Sequence, residues 1–188
     1  VGRLFRKRQF WIIAFLFVMA LGLEMGVYSM LPTYLVTIHD LPRSFVNTVV
    51  STSRLTSLLM VFLAGWATDH LGYRRVLAGI ALTSGLVTST LGFASGRVLI
   101  AAVYLQPMLI SGFFPPGLAA LSRVGSAHQR NLSISLVIPL AYLFGAGMIP
   151  AILGRLAETD SFGLGYVGVG AVMAAATLLT PIMDRSHS

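Results

Sequence analysis

Two ionisable residues, Glu24 and Arg54, stand inside long apolar stretches of this chain, and their chemistry is the place to begin. A charge at such depth in an apolar run is costly and is kept where it pairs or works. Arg54 offers a planar fork that can grip a carboxylate with two hydrogen bonds; Glu24 can carry a proton. Arg54 precedes Asp69 by fifteen positions, ~22 Å of helix, and Glu24 follows Phe10 by fourteen, ~21 Å, so the two lie at similar height. Asn47, Ser51, Arg54 and Ser57 fall on one helical stripe, and Glu24 shares a helix face with Tyr28. Gln106 adds a polar group in a later apolar run. One expectation is a structural ion pair between Glu24 and Arg54. The other is a substrate site, in which Arg54 binds an anionic group, Glu24 carries a coupling proton, and Tyr28, Asn47, Ser51 and Gln106 line the cavity. A pair that opens on substrate or proton binding serves both.

Other chemistries have little to stand on. The chain has no Cys, hence no thiolate, disulfide or Cys-ligated metal. His39, His70, His128 and His187 fall in separate polar segments without metal-ligand spacing. Gly163-Leu164-Gly165-Tyr166-Val167-Gly168 fits a dinucleotide pattern, yet no strand is expected before it and no acidic residue follows about twenty positions on. Asn131-Leu132-Ser133 fits a glycosylation acceptor but falls on the side assigned to the cytoplasm. No enzyme, cofactor or metal is expected.

The elements that position these residues are set by composition. Hydrophobic residues make up 56% of the 188 and charged ones 10%, against about 25% charged in a soluble domain. The apolar residues gather into runs of about twenty, the length that crosses a ~30 Å hydrocarbon core. Six helices are expected, at Phe10 to Ile38, Phe45 to Thr68, Val76 to Phe93, Val98 to Leu121, Leu132 to Leu153 and Phe162 to Met183. Residues 1–188 then form one all-α transmembrane domain. The net charge of +7 is spread between the apolar runs, which speaks against nucleic acid.

Orientation follows from the basic residues, which are retained in the cytoplasm. Arg3, Arg6, Lys7, Arg8, Arg74, Arg75, Arg123, Arg130 and Arg185 fall on one side, and Arg43, Arg97 and Arg155 on the other. Both termini are therefore expected in the cytoplasm. The opening Val-Gly-Arg-Leu-Phe-Arg-Lys-Arg looks like a basic connector, and Asp184 to Ser188 like a C-terminal tail.

The most specific pattern is Gly65-Trp66-Ala67-Thr68-Asp69-His70-Leu71-Gly72-Tyr73-Arg74-Arg75, between the second and third expected helices. It resembles the signature loop of the major facilitator superfamily at Gly65, Asp69, His70, Gly72, Arg74 and Arg75, and departs from it at Tyr73. Physically, Gly65 permits close helix approach, Gly72 a tight turn, and Asp69 a bond to a helix N-terminus or an arginine. The resemblance implies half of a twelve-helix fold, built from two inverted three-helix repeats, whose loop gates the cytoplasmic side. It fits helices seven to twelve, with an N-terminal six-helix half as missing partner. The third and sixth helices, without ionisable residues in their cores, are expected as outer supports facing lipid.

The function expected is secondary active transport by alternating access, of a small organic anion with proton coupling, in a bacterial inner membrane. Breakers in the fourth run, from Pro107 to Gly117, and in the fifth, at Pro139, Gly145, Gly147, Pro150 and Gly154, suit bending cavity helices. The alternatives are a drug or sugar porter of the same superfamily, or a non-transporting membrane scaffold or assembly subunit.

Overall fold

The computed structural model describes Phe5, residues 7–124 and residues 127–184. Arg3, Arg6 and Arg185 of the charge count, with the rest of the opening segment, Gly125, Ser126 and the tail beyond Asp184, lie outside the described residues. Among the described residues the chain is helical and has no strand.

The helical segments run on from one another as six rods. The first, α1, joins Arg8–Leu21, a π-helical stretch Gly22–Val27 and Tyr28–Thr37. Next come α2 at Arg43–Leu71 and α3 at Tyr73–Leu91. Rod α4 joins Gly96–Ser111 to Phe114–Leu121 across a break at Gly112 and Phe113, with proline opening the second piece. Rod α5 joins Ala127–Leu140, a second π-helical stretch Ala141–Met148 and Ile149–Ala157. Phe162–Ala176 and a 3-10 stretch Thr177–Asp184 make α6. Five rods, all except α3, are long and apolar enough to cross a membrane.

Boundaries moved where single residues sufficed to turn the chain. The expected loop from Asp69 to Arg75 shrinks to Gly72, at φ 84° and ψ 141°, a conformation that favours glycine. Asp69 therefore sits in the last turn of α2 and Arg74 in the first of α3. Residues 127–130, expected in a basic loop, open α5, and residues 155–157 close it.

Packing is set by glycines that let backbones meet, the usual device where lipid supplies no hydrophobic contrast. Rod α1 is the core: 72% of its apolar window is buried, against 28% for α2 and for α5. It packs on α5, where a Cβ on Gly145 would strike the Val18 carbonyl and one on Gly22 would strike Ile149. Rod α2 packs chiefly on α4, and α3 chiefly on α6. In the last pair Gly85 faces the backbone of Gly170 and Ala174, and Gly92 faces that of Gly163. The opposite faces of α3 and α6 expose Leu82, Leu86 and Phe93, and Leu164, Val172 and Leu178. Tyr34 ties α1 to α3 through a 2.9 Å bond to the Leu91 carbonyl, its ring packed between Phe162 and Tyr166 of α6 and His39.

Candidate functional site

The π-helical stretch of α1 builds the site. An i→i+5 ladder displaces carbonyls from the regular α pattern, and such single-turn stretches gather at functional positions. Three carbonyls of this stretch accept bonds from other rods, Val27 from the Tyr166 hydroxyl of α6 at 3.4 Å. Gln106 Nε2 of α4 donates to Leu23 at 3.0 Å, and Arg54 Nη2 of α2 donates to Glu24 at 3.1 Å.

The Glu24 side chain lies at the junction of α1, α2 and α4. Arg54 Nη1 donates to its Oε1, completing an ion pair, and Ser111 Oγ lies 3.2 Å from its Oε2. Ser111 also lies 2.8 Å from the Pro107 carbonyl, so its one hydroxyl proton serves either acceptor. The Arg54 guanidinium stacks on the Tyr28 ring, 3.9 Å from the centroid, a cation–π contact that fixes the plane of the fork. Tyr28 in turn donates to the Val50 carbonyl and lies 3.3 Å from Ser53 Oγ. Separately, Thr52 of α2 meets the Tyr104 hydroxyl of α4 at 2.7 Å.

The two charges differ in access. The side chain of Arg54 is 38% exposed and that of Glu24 is 11%. The carboxylate is thus mostly buried while the guanidinium is reachable from the open flank of α2. On its other side Glu24 borders a cavity of about 280 Å³ lined with Phe17, Leu21, Met25, Phe114, Ile138 and Tyr142. Gln106 is buried, and its Oε1 finds no hydrogen-bond partner among the described residues.

Of the residues expected at the site, Glu24, Arg54, Tyr28 and Gln106 come together. Asn47 and Ser51 do not join them. Asn47 borders a separate groove with Pro32, Thr33 and Arg43, and Ser51 is exposed. Ser57, the fourth member of that stripe, turns into the protein and its hydroxyl has no partner among the described residues. The stripe spirals across the edge of the α2–α4 contact, because spacings of four, three and three drift around a helix of 3.6 residues per turn. Sequence reading missed Ser53 and Ser111. A seven-residue spacing puts Tyr104 and Ser111 on one face of α4, a signal that could have found the latter.

The loop residues form a second polar centre. Asp69, Gly72, Tyr73, Arg74, Arg75 and Arg123 border a cavity of about 600 Å³. Asp69 is exposed, and its carboxylate makes no ion pair or hydrogen bond among the described residues. The close approach expected at Gly65 is absent among the described residues: a Cβ there would meet nothing within 4 Å. The close approaches fall instead at Gly22, Gly145, Gly85 and Gly170, on other rods. Comparison with protein-family models, curated proteins and solved structures returned no match to the chain.

Proposed function

We propose that this chain is a six-helix half of a secondary active transporter resembling the major facilitator superfamily, and that the Glu24–Arg54 pair couples proton to substrate. The observation that carries the reading is the pair itself, set on a π-helical turn between three rods and reachable from one side. Packing supports the repeat architecture. Matching α1 with α4, α2 with α5 and α3 with α6 turns the α1–α5 contact into the α4–α2 contact and leaves the α3–α6 contact on itself. That is the relation two inverted three-helix repeats would have.

Rod α3 fits as a sixth span despite its hydroxyls. Thr83, Ser84, Thr88 and Thr90 each donate to the carbonyl four residues back, at 2.6–2.9 Å, and Ser89 donates to the Val167 carbonyl of α6, so these hydroxyls are satisfied within the protein. Six spans place both termini on the side richer in arginine and lysine, the cytoplasm of a bacterial inner membrane.

In this mechanism Glu24 and an organic anion compete for Arg54. While Glu24 is ionised it occupies the fork. A proton arriving on Glu24 cancels its charge, lets Ser111 turn to the Pro107 carbonyl, and frees the guanidinium for a substrate carboxylate. Loss of substrate and proton on the opposite side restores the pair. The small aromatic cavity beside Glu24 favours a second reading, a lipophilic substrate of the kind drug porters take. Uptake by the complete protein in proteoliposomes tests both. Proton-driven accumulation of small carboxylates supports the first; accumulation of lipophilic compounds alone supports the second.

A further inference from the structure

The cavity at the α2–α3 turn has a composition that a closing gate does not require. Three guanidiniums, from Arg74, Arg75 and Arg123, border it with one carboxylate, Asp69. Tyr73 organises two of them. Its ring lies under the Arg123 guanidinium at 4.9 Å and near that of Arg74 at 5.8 Å, and its hydroxyl accepts from Arg74 Nε at 3.2 Å. Tyr73 thus holds in one place charges that would otherwise repel. At about 600 Å³ the cavity falls within the roughly 300–1,000 Å³ of small-ligand clefts.

The rod below the cavity is fitted to lipid. Arg75, Gly79, Leu82 and Leu86 follow one another at spacings of four, three and four, so they share one face of α3. All are exposed, and a Cβ at Gly79 would meet nothing within 4 Å, which leaves open space beside this apolar face. A cationic cavity stands at the end of this apolar face.

We infer that the cavity bordered by Arg74, Arg75 and Arg123 binds the headgroup of an anionic glycerophospholipid of the phosphatidylglycerol type. The phosphodiester sits among the arginines, the glycerol hydroxyls donate to Asp69, and an acyl chain lies along Gly79, Leu82 and Leu86. Basic pockets between spanning helices on the cytoplasmic side are suited to such headgroups. The donor-bearing head explains why one carboxylate stands among three cations. This rests on the membrane-spanning reading and is independent of what is transported.

Lipid retention by the purified protein, measured by native mass spectrometry from mixed phosphatidylglycerol and phosphatidylcholine micelles, tests it. The unaltered protein should retain phosphatidylglycerol roughly tenfold over phosphatidylcholine, as expected for two or more arginines at one headgroup. Arg75→Gln with Arg123→Gln should abolish the preference, and Arg8→Gln with Arg130→Gln, on the same side of the bilayer, should leave it. Millimolar glycerol 3-phosphate should fail to displace the lipid. An equal loss in the Arg8 and Arg130 variant would reduce the effect to general surface attraction, and full displacement by glycerol 3-phosphate would make the ligand a soluble phosphate. Either overturns the inference, as does a folded Arg75 and Arg123 variant that keeps the preference. Should that variant fail to fold, Arg75→Lys with Arg123→Lys replaces it. Lysine keeps the charge and loses the fork. Weaker retention is then expected, and unchanged retention counts against the site.

Discussion

Removing one partner of a buried ion pair leaves a charge without compensation, at a cost of ~3–5 kcal/mol in soluble proteins. Arg54 is partly exposed, so Arg54→Gln and Glu24→Gln should each destabilise toward the lower end of that range, with Glu24→Gln the milder because the amide still accepts from Arg54. Thermal denaturation in detergent checks both. Arg54→Lys should fold normally and bind a carboxylate more weakly in equilibrium binding, since a single ammonium replaces the fork. His39, in the turn after α1, is a separate case. Burial against Tyr34 lowers its pKa, so the folded state binds its proton less readily than the unfolded chain. Stability should accordingly fall as pH drops through the unfolded value of about 6.5, and His39→Gln should flatten that dependence in melting curves between pH 7.5 and 5. Glu24 and Arg54 were legible in the sequence because a charge in an apolar run has few explanations. Ser53 and Ser111 were not, since a serine in a helix satisfies itself on a nearby carbonyl, as both do here, and its presence signals nothing.

Glycine positions are where the rods test the account. Gly145→Val should disrupt the α1–α5 contact, because its Cβ would enter the Val18 backbone, and Gly85→Val should do the same between α3 and α6. Each should lower the melting temperature markedly, whereas Gly168→Ala, with open space at its Cβ, should not. Gly65 separates folding from assembly. Gly65→Leu should leave this chain folded, yet reduce transport if the partner half packs there. Asp69→Asn belongs with it: Asp69 has no partner among the described residues, so transport should fall while substrate binding, ~20 Å away, persists. Rod positions were legible from apolar runs and their lengths. The two π-helical stretches were not, because Gly22, Gly26, Gly145 and Gly147 read equally well as packing glycines, and the carbonyls of the first stretch find their donors on rods distant in sequence.

For the whole molecule, the fold class could be read from the scarcity of charge, but the arrangement of rods could not. Which helix lies at the centre depends on contacts such as Gly145 on Val18 and Tyr34 on Leu91, separated by more than fifty positions. Single cysteines at His39, Arg97 and Glu158 should react with impermeant reagents from outside and one at Gly72 only from inside; the chain has no native Cys to interfere. Coupling through the Glu24–Arg54 pair is the central claim, and the double variant Glu24→Gln with Arg54→Gln addresses it most directly. With no lone charge left among the apolar rods, it should regain the expression and thermal stability that the single variants lose. The decisive measurement is uptake of radiolabelled small carboxylates by the complete protein in proteoliposomes under an inward proton gradient. The unaltered protein should accumulate at least one of them and the folded double variant none; accumulation by the double variant at the unaltered rate would make the pair purely structural and contradict the account.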